Sequence, residues 1–511
     1  MPVSLLVERA AARYGGRVAL EGPDGRLTFA QLDDRVTRLA RGLLGLGLRP
    51  GDRVLELQPN GCGAVESDLA LAAAGLVRVP LNPRLDPREW EAIADDSGAR
   101  ALIYDASFTE TTEALRSGLG AGFTVVTGDG PGRPREELIN DSPPNRLRLD
   151  HAADDLVGLA YSSGTTGRPK GAMRTQRNRI ASALAMTHEV LGGRPRPDSA
   201  FLHAGPVIHT SGLFVLPFLV AGARQVLLEH ADAATLVETI EAHGITHTAL
   251  VPTMISRLLA VPGVERARLA SLRMLAYAGA PMPERHIRQA AELLTPHLVQ
   301  YYGLVEAMPP LTVLDEADHA RGLDEWPELL RSAGRTCLAV GLRIVDGDGA
   351  VLPEGETGEV EVRGDPVMPG YWNAERRDDL GKALTGGWLR TGDIGRLGPG
   401  GHLWLTDRKN DMIITGGYNV YPREVEEVVS GIEGVGAAAV VGLPDADWGQ
   451  RIVVAYTGQV DPGDVLARCR TALPPHKRPK QAYLYPALPL NATGKISRRD
   501  VVEMLERREI L

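Results

Sequence analysis

The chain has 511 residues, 43% hydrophobic and 24% charged, with a formal net charge of -9 at pH 7. That length exceeds what one hydrophobic core serves, so two or more domains are expected, and the acidic balance argues against nucleic acid or an anionic membrane as principal partner. No apolar run approaches the roughly 18 residues of a membrane span, and MPVSLLVERAAARYGG brings charge too soon after its short apolar stretch for a secretory signal.

The elements follow in chain order. In LTFAQLDDRVTRLARGLLGLGL, Leu32, Val36, Leu39 and Leu43 fall on one helical face, and Thr28 is placed to cap the helix. RVLEL (53–57), VRVPLN (77–82), ALIYD (101–105) and FTVVT (123–127) are short apolar strands between helical stretches. Such alternation predicts βαβ units around a buried parallel sheet. A second set runs from 154 to about 305: LVGLAY, RQVLLE, THTALVP, RMLAYAG and LVQYYG. From about 335 the chain turns β-rich, and the Asp-Gly pairs of LRIVDGDGAVLPEGETGEVEVRG predict hairpins. A break near 408 leaves a small α+β unit. The expected division is residues 1–407, with α/β subdomains to about 330 and a β-rich part over about 335–407, followed by 408–511.

Cys62, Cys337 and Cys469 are far apart and lack metal-ligand spacing, which points to a reduced, cytoplasmic protein. Only six of the 56 Lys and Arg residues are lysines, so a lysine in a glycine-rich setting stands out. One such setting is SSGTTGRPKG (162–171), after the strand LVGLAY. Its glycines, hydroxyls and Lys170 suit a phosphate grip, although Arg168 and Pro169 separate Gly167 from Lys170 and break Walker spacing. Backbone amides in such a loop bind anions without a Walker helix.

Six further motifs follow in order: PVIHTSG (206–212), AGAPMP (278–283), YYGLVEA (301–307), WLRTGD (388–393), DRKNDMIITGGYNVYP (407–422) and LPLNATGKI (488–496). The whole series resembles the adenylate-forming, AMP-binding superfamily of acyl-CoA synthetases, adenylation domains and luciferase. The resemblance implies two Rossmann-like α/β subdomains plus a β-rich subdomain, with a small mobile α+β C-terminal domain. It implies an ATP-dependent carboxylic acid–CoA ligase that forms an acyl-AMP, releases pyrophosphate, and passes the acyl group to coenzyme A.

By the same resemblance, Ser162, Ser163, Gly164, Thr165, Thr166, Gly167 and Lys170 meet the ATP phosphates, with Gly279, Ala280, Pro281, Tyr301, Tyr302 and Gly303 also at the nucleotide. Asp393 and Arg408 meet the ribose. Lys495 is the implied catalytic lysine, bridging carboxylate and α-phosphate. Glu306, with Thr165, is the implied Mg2+ site, and one or two carboxylates plus phosphate oxygens suit that ion. His209 is expected to line the acyl pocket with Thr210, Gly212, Ala278, Gly279, Met308 and Pro309. Gly416 and Gly417 are expected at the pantetheine tunnel, and Trp448 and HKRPK (476–480) at the CoA nucleotide.

Two positions depart from the family pattern. Val305 replaces a hydroxyl residue that contacts the α-phosphate, and Asn410 stands at the hinge in place of Asp or Lys. They keep open a non-CoA acceptor, as in a nitrite-dependent diazotase; a carrier-protein ligase is a further alternative, and a non-catalytic nucleotide-binding module a third, which Lys170, Glu306, Asp393, Arg408 and Lys495 speak against. A small-molecule acid is the expected partner, with no nucleic acid, a carrier protein conceivable but not fused, and either a monomer or a homodimer.

Overall fold

The computed structural model describes residues 2–119, 123–162, 169–193, 195–373, 383–491 and 494–510. The first sheet has seven strands in the order Arg133–Pro134, Thr124–Thr127, Ala101–Asp105, Arg53–Leu57, Val77–Pro80, Leu156–Ser162 and Lys170–Thr175. All neighbours are parallel except the last pair, which folds back antiparallel around the phosphate-loop segment. The apolar runs therefore became interior strands, as their lack of polar alternation requires for a sheet covered on both faces.

The second sheet has nine strands. Its parallel centre runs Leu298–Leu304, Met274–Ala278, His247–Leu250, Ala200–His203, Arg224–Leu227 and Val18–Gly22. The hairpin Val18–Gly22/Gly25–Thr28 thus leaves its sequence neighbours and pairs with a strand some two hundred residues on. Thr28 then caps the helix Phe29–Gly45 in a full capping box with Gln31. Leu32, Val36, Leu39 and Leu43 are all buried on the expected face.

Between the two sheets lies the helix Cys62–Ala73, buried along its whole length. A helix with apolar residues on every side and no polar stripe belongs in such a place. Its core is shared by Val54 and Ile103 of the first sheet and Leu20 and Leu227 of the second. The same burial traps two acids, and each is paired: Glu66 with Arg35 at 2.6 Å, Asp68 with Arg179.

The third sheet is antiparallel, built from Val340–Val345, Gly358–Gly364, Trp388–Leu397, Leu384–Thr385 and Leu403–Arg408. At the Asp-Gly turn, Asp346 Oδ1 accepts from the amides of Asp348 and Ala350, the local bond that makes such pairs turn formers. Strands after residue 412 form a separate five-stranded sheet, centred on Val435–Asp445 and Gly449–Gly458. Helices Pro422–Ser430 and Pro462–Ala472 cover one face through Val425, Val429, Val465 and Cys469. Helix Arg498–Ile510 covers the other through Val501 and Leu505. A large N-terminal domain thus carries a small C-terminal α+β domain. The three cysteines are free and buried, and among the described residues no helix is long and apolar enough to cross a membrane.

Candidate active site

The site forms where strand ends of the second sheet meet the third sheet and the C-terminal domain. Strand Met274–Ala278 ends at Gly279, whose φ of +90° only glycine adopts cheaply. A Cβ at Gly279 would lie 3.1 Å from Lys495 Cε and 3.3 Å from Nζ, so the missing side chain is what admits the lysine. The loop holding Lys495 is pinned by its own bonds. Lys495 N donates to Asn491 Oδ1 at 3.0 Å, Asn491 N donates to Lys495 O at 2.7 Å, and Thr253 Oγ1 donates across the domain boundary to Gly494 O at 3.3 Å. Burial and the Arg408 charge push the Lys495 ammonium below the ordinary lysine range, against an upward pull from Asp393.

Strand Leu298–Leu304 turns tightly into Ala307–Leu314. Pleating sends Tyr301 and Tyr302 to opposite faces. Tyr301 is 1% exposed and packs against Phe214, its hydroxyl without a partner among the described residues, whereas the Tyr302 hydroxyl donates to Asp393 Oδ2. Asp393 and Arg408 are register partners on adjacent antiparallel strands, with Nε to Oδ1 at 3.4 Å. Desolvation raises the Asp393 carboxyl, and Arg408 and the Tyr302 hydroxyl pull it back. Glu306 sits in the turn after Tyr302 and accepts from the Tyr371 hydroxyl at 2.8 Å through one carboxylate oxygen. Val305 beside it packs on the apolar core.

His209 lies in the loop entering the short helix Thr210–Phe214. The Asn82 side-chain amide donates to its Nε2 at 3.0 Å. Burial, with the positive charges of Arg174, Lys495, Arg78 and Arg84, lowers its pKa to about 4. The ring is therefore neutral near pH 7, a wall that accepts a hydrogen bond and a weak base. A cavity in front of it is walled by His209, Gly212 and Met308 of the expected pocket set, with Val65, Leu159 and Val207 adding apolar surface.

Beneath that cavity lies a cluster that sequence reasoning missed. Arg78 pairs with Glu56 and reaches Asp68 at 3.4 Å, and Arg179 takes both oxygens of Asp68. Arg174 also lines the cavity, but among the described residues its side chain has no hydrogen bond or ion pair, and its Nε is sealed without a partner. Desolvation and the neighbouring Arg78 and Arg179 charges push it down to about 10. Strand alternation in KGAMRT puts Ala172 and Arg174 on one face, with Ala172 fully buried, and that was the available signal.

Lys170 opens the strand Lys170–Thr175, opposite Ser162. Ser163, Gly164, Thr165, Thr166 and Gly167 lie outside the described residues, as do the side chains of Ser162 and Asn410. Ala280 and Pro281 follow Gly279 directly, and Gly303 packs against Pro309. In the C-terminal domain, Gly416 and Gly417 (φ +56° and +80°) make the two-residue turn between Ile413–Thr415 and Tyr418–Val420, of the type requiring positive φ twice. Gly416 N donates to Trp448 O at 2.8 Å, Lys480 Nζ lies 4.3 Å from the Trp448 ring centre, and Tyr418 stacks on His476. The turn, Trp448 and the basic cluster thus share one surface.

Comparison with known proteins places this geometry in a family. The AMP-binding enzyme model matches residues 7–372, and the AMP-binding enzyme C-terminal domain matches 424–495. A feruloyl-CoA synthase of Amycolatopsis sp is 37% identical, covering 96% of this chain and 95% of the relative. The amide bond synthetase McbA from Marinactinospora thermotolerans superposes with a TM-score of 0.88 at 31% identity, covering 99% of this chain and 100% of that one. The anthranilate CoA ligase AuaEII, solved with anthranoyl-AMP, gives 0.90 at 26% identity, covering 100% and 98%. With both domain models matched in order, the first spanning Glu306 and the second reaching Lys495, and relatives named as CoA synthetases over nearly the whole chain, the chain belongs to the AMP-binding enzyme family, as an AMP-forming acyl-CoA ligase.

Proposed function

We propose that this enzyme joins a small carboxylic acid to ATP as an acyl-AMP, releases pyrophosphate, and then passes the acyl group to coenzyme A. The observation that carries the reading is the seat of Lys495. A C-terminal loop delivers an ammonium to Gly279, beside Asp393 and Arg408 and within electrostatic reach of His209. A carboxylate attacking a phosphate brings two negative groups together. A positioned cation between them lowers that barrier by electrostatic preorganisation, worth about 3–4 kcal/mol for a single well-placed donor.

The remaining residues position the reactants. Asp393 accepts from the ribose hydroxyls, held in place by Tyr302 and Arg408. Glu306 keeps one carboxylate oxygen clear of its bond to Tyr371 and would hold Mg2+, which supplies charge neutralisation on the phosphates. That donor set fits magnesium, which takes few protein carboxylates. Among the described residues no cluster of three or more His, Cys, Asp or Glu offers a site for a metal held by protein alone. His209, neutral, walls the acyl pocket and leaves proton transfer to other groups.

For the second step, the Gly416–Gly417 turn, Trp448 and Lys480 form a surface suited to pantetheine and the CoA nucleotide once the C-terminal domain re-docks. Relatives named for feruloyl and anthranilate acids support a small acid as substrate. A second acceptor reading is favoured by one observation: a neighbour of equal coverage is named an amide bond synthetase, so an amine could take the acyl group in place of CoA.

The test is an acid library incubated with protein, ATP and Mg2+, followed by mass spectrometry for adenylates, then addition of CoA. Thioester formation supports the ligase. An adenylate that persists with CoA and is consumed by amines or nitrite supports the other acceptor. An absence of adenylate from every acid overturns the activity.

A further inference from the structure

We propose that the acid this enzyme activates carries a second carboxylate, bound at the floor of the acyl cavity by Arg174 together with the unused edge of Arg78. The inference rests on the ligase reading above and names its substrate class.

Three guanidinium groups, those of Arg78, Arg174 and Arg179, gather under the cavity, with two carboxylates, Glu56 and Asp68, to meet them. The two acids are fully engaged. Arg179 covers both oxygens of Asp68, Arg78 binds Glu56, and Gln58 donates to the other oxygen of Glu56 at 3.0 Å. One cation is left over, and the geometry says which. Arg174 makes no ion pair among the described residues, and its Nε is buried without an acceptor. Arg78 Nη2 is likewise buried and unmatched among the described residues. The cavity wall mixes apolar Val65, Leu159 and Val207 with Arg78, Arg179, Asp68 and His209, and Asp68 is already taken up by Arg179 and Arg78, so the Arg174 guanidinium carries a desolvation penalty that an anion entering the cavity relieves.

The direction and chemistry of that anion follow. Arg174 lowers the pKa of His209 and is itself affected by Glu306, so its charge lies within reach of the expected site of acyl transfer. A guanidinium presents a planar fork that a carboxylate matches with two parallel bonds, which a methyl-ended acid cannot supply. Glu306 is no substitute partner: it bonds Tyr371 and, on the ligase reading, faces the phosphates. A spacer between two carboxylates lets one be adenylated while the other pairs with Arg174. A monoacid of the same skeleton leaves the buried cation stranded, a defect that discriminates more strongly than one lost methylene.

The experiment measures acid-dependent ATP–pyrophosphate exchange with matched pairs: straight-chain diacids from malonate to suberate and the benzene dicarboxylates, each against its monoacid. The expected result is at least one diacid favoured over its partner by roughly 10- to 100-fold in kcat/KM. Arg174→Leu should invert that preference, and Arg174→Lys, which keeps the charge without the fork, should fall between. Wild-type enzyme that activates monoacids and ignores every diacid overturns the proposal and leaves the ligase reading standing. Equal losses on both classes in Arg174→Leu, or a raised KM for ATP in place of a changed acid preference, also overturn it, the latter assigning Arg174 to the triphosphate. If no acid drives exchange, the ligase reading falls and this inference with it.

Discussion

On the proposed mechanism Lys495 works only while it is charged, and its surroundings set the pH range over which that holds. Burial and Arg408 depress its pKa, while Asp393 opposes them. A depressed amine loses its proton earlier as pH rises, so adenylate formation should decline on an alkaline limb below the ~10.4 of an ordinary lysine. Arg408→Gln removes a repelling charge and should move that limb upward. Asp393→Asn removes the attracting one and should move it downward. The limb is read in kcat at saturating ATP, so that weakened ribose binding shows in KM and leaves the limb interpretable. Shifts in the same direction, or none, would remove Lys495 as the titrating group. His209 contributes no limb near neutrality: with its pKa lowered to about 4, it stays neutral from roughly pH 5 upward.

At the scale of elements, the strand–turn unit ending at Gly279 couples backbone conformation to chemistry. Gly279→Ala should cost about 1–2 kcal/mol of stability through its positive φ, and should also displace the Lys495 side chain. Gly263 separates the two effects, since its φ is +73° and a Cβ added there would meet no atom within 4 Å. Gly263→Ala should lower the melting temperature to a similar degree and leave adenylation intact, whereas Gly279→Ala should slow adenylation about tenfold or more. Equal rates in both variants would disprove the coupling. Local features of this kind were readable in advance. Thr28 and Gln31 make a capping box because their spacing alone brings them together, and the apolar runs at 53–57 and 101–105 are strands at those bounds. Pairings distant in sequence were not readable. Nothing near Val18 specifies a partner at Arg224–Leu227, Asn82 meets His209 only through the packed fold, and Arg174 reads as an ordinary surface arginine until the first sheet closes beneath it. Motif order singled out Lys495, Glu306 and Asp393 as candidates, while the charge balance of the cavity floor depended on three dimensions.

For the whole molecule, the decisive feature is how the small domain sits on the large one. Arg285, on the helix Glu284–Leu293, donates to the backbone carbonyls of Ile432 (3.2 Å) and Val435 in the small domain. Thr253 and Gly279 meet the Lys495 loop on the same side. Arg498, in contrast, joins Asp407 at 3.1 Å to Asp411 at 2.7 Å and Glu426 at 2.8 Å, gripping the connection between the domains. This docking puts Lys495 at the candidate site and leaves the Gly416–Gly417 turn and Trp448 elsewhere on the small domain, so on the proposed mechanism it suits the first half-reaction. The Arg285 bonds belong to this docking and not to the chemistry, which makes them a selective handle. Arg285→Leu removes hydrogen bonds to main-chain carbonyls worth about 1–2 kcal/mol together. If the domain re-docks between steps, the variant should slow ATP–pyrophosphate exchange about 3- to 30-fold and leave thioester formation from a chemically supplied acyl adenylate equal or faster. Equal slowing of both steps would show that one arrangement serves the whole reaction, and the pantetheine would then have to reach the adenylate past Lys495.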